Sequence, residues 1–248
     1  MNPFEFNTLV RAERELWWFR GMQRILFRLL DSMKIAAGAK RVLEAGCGTG
    51  YFAGLAERRY GWQVFPADLS WEGLSCGRRA GARRLVQADI ASLPYPPARF
   101  DLLLCLDVLV HFEQGGEARA LAEFARVLAP GGKLVLRVSA LDMLRSRHSA
   151  FAGERQRFTR RRLSGAAERH GFRILRCTYA NSLLLPVALA RFRVWEPLMR
   201  SAPASGTAPV PGWLDRLLYL PLALESAWIG AGLNFPAGQS LILIGEKK

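Results

Sequence analysis

From Lys40 onward, short apolar runs recur at intervals, separated by stretches whose apolar residues fall three and four positions apart. The runs are Arg41–Ala45, Gln63–Ala67, Arg84–Gln87, Leu102–Leu106, Lys133–Val138 and Phe172–Tyr179, and Ser240 to Ile244 closes the series. Runs of this length bounded by turn residues read as strands, and the spaced stretches read as helices. Leu121, Phe124, Ala125 and Leu128 mark one helix, closed by Pro130-Gly131-Gly132. Leu163, Ala166, Ala167 and His170 mark another, with Thr159 as its N-cap and Gly171 as its stop. Alternating strands and helices predict a parallel sheet with helices on both faces. Ahead of the sheet, Met22, Ile25, Leu26, Leu29 and Met33 form one apolar stripe at helical spacing.

The rhythm breaks at residues 181–235. This segment holds six of the thirteen prolines and three of the seven tryptophans, with apolar clusters at Leu183-Leu184-Leu185 and from Leu217 to Leu224. A Pro-rich joint, Ser201 to Pro211, divides it into two helical halves. The organisation expected is an N-terminal helical cap (1–37), an α/β core (38–180 and 236–248) and an inserted apolar helical subdomain (181–235). A lid, a homodimer face and a peripheral membrane contact are all compatible with such an insertion.

Composition narrows the class. Half of the 248 residues are hydrophobic and 23% are charged, which excludes a disordered or collagen-like chain. Cys47, Cys76, Cys105 and Cys177 lack paired metal-ligand spacing, so no metal is expected and reduced thiols are. The N-terminus has no basic run leading into an apolar core, and no apolar run reaches the ~18 residues that span a bilayer. A cytoplasmic protein is expected. The net charge is +14, and eleven arginines between Arg137 and Arg176 face only Asp142, Glu154 and Glu168. Such a cluster can attract nucleic acid, anionic headgroups or phosphorylated metabolites, or form a solvated helix face.

The most informative stretch is Val42-Leu43-Glu44-Ala45-Gly46-Cys47-Gly48-Thr49-Gly50, a strand running into three glycines spaced two apart. In an open α/β sheet, ligands collect at the carboxyl ends of the strands, where this turn lies. The dinucleotide fingerprint fails, because Tyr51 stands where its third glycine belongs; the phosphate-cradling loop fails for want of a lysine. The stretch resembles motif I of the class I S-adenosylmethionine-dependent methyltransferases, with Glu44 two places before the first glycine. Asp68-Leu69 after the second strand, Asp89-Ile90 after the third, and Phe100-Asp101 leading through Leu106 to Asp107 occur in that family's order, as does Pro130-Gly131-Gly132-Lys133-Leu134. Taken singly, Asp68 and Asp89 also suit strand-end caps or turns.

The resemblance implies a Rossmann-like, seven-stranded, mostly parallel sheet with helices on both faces and an antiparallel last strand. It also implies S-adenosylmethionine as cofactor. Gly46, Cys47, Gly48 and Gly50 would form its loop, Asp68 would bond the ribose hydroxyls, Asp89 would meet the adenine amino group, and Leu69, Ile90 and Leu106 would also line the cofactor. Glu44 would sit near the sulfonium or fix the glycine turn. Trp17-Trp18-Phe19-Arg20-Gly21 is similar to the signature of one subgroup, in which the N-terminal helix covers the cofactor and Arg20 could meet the methionine carboxylate. The aromatic pair could equally pack this helix onto the sheet. On the substrate side the sequence departs from that subgroup, with Ser149 in place of Asp, Glu154 in place of His, and Val110 in place of Glu before His111.

Methyl transfer is an in-line displacement that needs alignment more than a covalent residue. His111, after the fourth strand, is the candidate base for a hydroxyl acceptor; a structural hydrogen-bonder is the competing role. The function expected is methylation of a small molecule, oxygen ahead of nitrogen, with an anionic or lipid-linked sugar or natural-product intermediate as the class of acceptor. Nucleic acid is not the expected partner. An RNA-directed enzyme using the Arg137–Arg176 stretch and a non-catalytic cofactor-binding protein are the alternatives.

Overall fold

Among residues 5–199 and 206–248, those which the computed structural model describes, seven strands hydrogen-bond into one sheet. They are β1 (Arg41–Ala45), β2 (Gln63–Asp68), β3 (Val86–Gln87), β4 (Phe100–Leu106), β5 (Leu128–Ser139), β6 (Phe172–Ala180) and β7 (Ser240–Lys247), in the order β3-β2-β1-β4-β5-β7-β6. Only β7 runs antiparallel, wedged between β5 and β6. The central strands read as unbroken apolar runs because both of their faces are covered. Leu43, Leu103 and Cys105 join Phe124 and Leu163 on one side. Val42, Leu102 and Leu104 join Ile25, Leu29 and Phe52 on the other.

Helices α1 (Glu5–Glu15), α2 (Trp17–Ser32) and α3 (Ile35–Gly38) precede the sheet. Within it run α4 (Tyr51–Tyr60), α5 (Trp71–Arg79), α6 (Glu117–Val127), α7 (Arg147–Phe151) and α8 (Arg160–Arg169). Thr159 caps α8 as the pattern predicts, its side chain accepting from the Arg162 amide. None of the four cysteines is in a disulfide.

Three details depart from the sequence reading. The opening region is not one helix, because Leu16 adopts an extended backbone (ψ 133°) that separates α1 from α2. The third strand shrinks to Val86–Gln87, since Arg84 takes a φ of +54°, outside the region a strand can use. Pro130-Gly131-Gly132 does not close the preceding helix: α6 ends at Val127, and Leu128 already pairs with Phe100. The three residues lie inside β5, next to a register shift in its pairing with β4.

The 181–235 segment forms α9 (Leu185–Ala190), a π-type turn Arg191–Trp195, α10 (Glu196–Met199) and α11 (Gly212–Gly230). Of the Pro-rich joint, 201–205 lie outside the described residues. Helix α11 lies along α2. Leu222 seats on Gly21, the Ser226 hydroxyl donates to the Arg24 carbonyl, and the Asp215 carboxylate accepts from the Trp17 amide at 2.7 Å. Asp215 therefore satisfies an N-terminal amide of α2 that Leu16 cannot cap.

Most of the Arg137–Arg176 cluster has partners within the protein, although Arg145, Arg155, Arg160, Arg161, Arg169 and Arg173 stay exposed. Nine of its eleven arginines bond protein carboxylates, carbonyls or amides: Arg137, Arg145, Arg155, Arg157, Arg162 and Arg173 in ion pairs, and Arg147, Arg160 and Arg176 on carbonyl oxygens.

A Cβ on Gly21 would lie 2.3 Å from Leu222 Cδ1 and 2.6 Å from its Cβ. Gly21→Val is expected to cost roughly 1–3 kcal/mol in urea unfolding, the usual cost of overpacking. Gly54→Ala, on a helix position where a Cβ would meet only the end of Arg58, serves as the control and should not destabilise.

Candidate functional site

The strand order reverses direction between β1 and β4, and the turns that follow these two strands meet there. Gly46 takes a φ of +79°, and a Cβ on it would lie 2.2 Å from Val108 Cγ2, so only glycine lets the two turns pass. Gly48 and Gly50 also have positive φ. The turn is pinned to β2: the Gly46 and Cys47 amides donate to the Ala67 carbonyl at 2.7 and 3.0 Å, and the Gly48 amide donates to Asp68 Oδ2 at 2.7 Å. A Cβ on Gly48 would stand 4.0 Å from Leu9 Cδ2, so α1 lies over the loop at ordinary contact distance.

Three carboxylates surround this uncharged turn. Asp68 accepts from Gly48 N with one oxygen and from Ser70 N with the other, so each oxygen keeps a lone pair. Burial raises its carboxyl above the usual range. Glu44, at the end of β1, is buried and accepts from the Ala53 amide of α4 at 3.0 Å, which ties the helix to the strand. Burial, reinforced by Glu13, raises its carboxyl to about 8. Glu13 itself reaches down from α1 to take the Thr49 hydroxyl, and burial raises it to about 7. A cation introduced here would ease the cost of ionising these acids.

Farther along the carboxyl edge, Leu69 is exposed and Asp89 makes a turn, its Oδ1 accepting from the Ala91 amide at 2.8 Å; Ile90 is buried beneath. Leu106 is half-buried. Asp107, with φ +60°, pairs with Arg137 at 2.6 Å, and the Arg137 guanidinium lies 5.1 Å from the Trp18 ring centre. The aromatic signature thus reaches the ends of β4 and β5. Arg20 is paired with Asp215 and stacks over Tyr219, while its Nε is buried without a partner. His111 sits in a short turn after β4, its Nδ1 3.1 Å from the Gly153 carbonyl. A carbonyl can only accept, so Nδ1 carries the proton and Nε2 presents its lone pair. Burial lowers the pKa of this imidazole, which keeps it neutral at neutral pH.

Glu13 and Asp215 adjoin these groups and went unnoticed in the sequence, and Thr49 and Arg137 were given no role at the site. Asp215 carries the one local signal, an acid in the first turn of a helix, but that signal points to its own helix rather than to α2.

Fold and site together define a Rossmann-like sheet with a glycine turn and three carboxylates at its switch point. Residues 43–136 match the family described as a methyltransferase domain. Demethylmenaquinone methyltransferase of Deinococcus radiodurans is 36% identical over 122 residues, which are 47% of this chain and 50% of that protein. Malonyl-[acyl-carrier protein] O-methyltransferase of Serratia marcescens is 33% identical over 158 residues, 60% of this chain and 61% of that protein. The chain thus spans about half the length of the curated relatives it matches. Geranyl diphosphate C-methyltransferase of Streptomyces coelicolor shares the fold, with a TM-score of 0.58, 14% identity, and coverage of 89% of this chain and 78% of that one. Residues 43–136 carry a methyltransferase domain, similar to that of S-adenosylmethionine-dependent methyltransferases.

Because the Glu44 carboxyl is raised in the fold, the native state keeps a proton that the unfolded chain releases. Its contribution to stability therefore falls as pH rises from about 5 to about 8, and Glu13 acts with the same sign. Glu44→Gln, which retains an acceptor for Ala53 N, is expected to flatten this fall, with the larger gain in melting temperature at the alkaline end. Thermal unfolding at both ends of the window checks it.

Proposed function

We propose that this chain transfers a methyl group from S-adenosylmethionine to a small-molecule acceptor, with oxygen ahead of nitrogen as the accepting atom. The observation that carries the reading is the positive-φ turn Gly46–Gly50 at the switch point, ringed by Glu13, Glu44 and Asp68. The donor set suits the cofactor. Asp68 has a spare lone pair on each oxygen for vicinal hydroxyls, and Arg20 Nε is an unused donor for a carboxylate. Gly46, Cys47, Gly48 and Gly50 would hold the ligand along the loop, with Leu69, Asp89, Ile90 and Leu106 beside its base. Glu44 would act from beneath the turn, holding α4 in place while adding negative potential under a cation.

The cofactor, when bound, supplies an electrophilic methyl group. The protein's share is alignment, which can lower a displacement barrier by roughly 7–11 kcal/mol. His111 would take the proton of a hydroxyl acceptor at Nε2, since its Nδ1 proton is committed to Gly153. The two relatives are named for methylating a quinone precursor and a carrier-bound acyl group, which supports a metabolite as acceptor. An anionic or lipid-linked sugar or natural-product intermediate is the class we assign. Arg137 and Arg157 are buried in ion pairs and are closed to an RNA substrate.

Asp68→Ala is expected to weaken S-adenosylmethionine binding by ~1–3 kcal/mol in isothermal titration, the cost of leaving buried hydroxyls unpaired. Unchanged affinity in the folded variant would remove Asp68 from the ribose. With an acceptor in hand, His111→Gln should lower kcat by ~10²–10⁴ while leaving cofactor affinity intact. Undiminished turnover would leave His111 as a loop-fixing hydrogen bonder.

A further inference from the structure

Helix α11 has two faces. Leu222, Ser226 and Ile229 are buried toward α2 and the sheet, whereas Trp213, Leu217, Leu220, Leu224 and Trp228 form a second stripe on the opposite side, each 50–69% exposed. The spacing of four, three, four and four keeps these five on one line of the helix. Single exposed apolar residues are ordinary; five in line with a tryptophan at each end are not. The stripe does not stand alone, for Glu225 accepts from the Ser182 and Leu183 amides and so holds the start of α9 against α11. The α9–α10 stretch adds exposed Val187, Val194, Trp195, Leu198 and Met199.

The charges of the same segment are sorted by sign. Its three acids all face inward: Asp215 caps α2 and pairs with Arg20, Glu225 caps the start of α9, and Glu196 accepts from the Arg147 amide. Their side chains are at most 16% exposed. Arg191, Arg193 and Arg216 are exposed. Among the described residues the outer surface of this segment therefore offers apolar and basic groups and no acid. A second copy pairing this same face with itself would set arginine against arginine with no outward carboxylate of the segment between them. A bilayer containing anionic lipid answers both features, because its headgroups meet the arginines and its acyl boundary takes the stripe. No described helix is long and apolar enough to cross a membrane, and α11 is held along α2 by its other face.

We propose that α11, with the adjoining α9–α10 surface, docks the protein in-plane on an anionic membrane surface. The proposal does not rest on the methyltransferase reading, and its test needs no cofactor. The full chain is sedimented with vesicles of phosphatidylcholine alone and of phosphatidylcholine with phosphatidylglycerol. Binding is expected to the anionic vesicles and to weaken with salt. Each arginine contributes about fivefold near such a surface, so the triple variant R191E/R193E/R216E should lose about a hundredfold or more. Leu220→Glu with Leu224→Glu should abolish binding, with thermal unfolding confirming the fold. If that variant does not fold, Leu220→Gln alone should still lower the partition severalfold. Binding that survives loss of the stripe would overturn the proposal. So would failure to bind anionic vesicles, and a dimer seen in sedimentation velocity and dissolved by Leu220→Glu would then give the stripe to a second copy.

Discussion

Strands β1 and β4 lie side by side, yet the chain leaves them toward opposite halves of the sheet, so two turns must occupy nearly the same place. The absence of a side chain at Gly46, against Val108, makes that possible. Once the turn is that tight, its amides point along the sheet edge and find the Ala67 carbonyl and the Asp68 carboxylate of β2. The same geometry starts α4 where its Ala53 amide can reach back to Glu44. Strand, turn and helix are thereby fixed by three hydrogen-bonding groups and one close approach. Helix α1 lies over this turn through Leu9 and Glu13.

A second constraint acts from outside the sheet. The N-terminal helices are far from 181–235 in sequence, but Gly21 and Asp215 lock α2 to α11. Through Trp18, α2 then touches Arg137 and its partner Asp107 at the ends of β5 and β4. Cap and insertion thus act on the carboxyl edge as one body, and the aromatic signature both packs the helix and reaches the edge.

Legibility in the sequence followed the range of the forces involved. The central strands could be read because a strand covered on both faces must be apolar throughout, and the glycine turn could be read because its backbone demands are local. The N-cap at Thr159 is of the same kind. What could not be read depends on partners distant in the chain. Glu13 looks like any polar helix residue until α1 is laid over Thr49. Asp215 looks like a helix-start acid until α2 is placed beside it. The overlong third strand and the misplaced end of α6 have a different origin, in single backbone angles and a register shift that hydrophobicity does not encode.

The departures on the substrate side take on a different meaning in three dimensions. Ser149 and Glu154, which break the subgroup's pattern, both bond the same buried guanidinium, that of Arg157, which also donates to the Ala140 carbonyl at the end of β5. Glu154 supplies the carboxylate that balances this guanidinium, and the Ser149 hydroxyl adds a further acceptor. Glu154 follows Gly153, whose carbonyl takes the Nδ1 proton of His111. A buried guanidinium left unpaired would cost several kcal/mol, about 3–5 by the usual measure, so these substrate-side residues hold together the loop on which His111 rests.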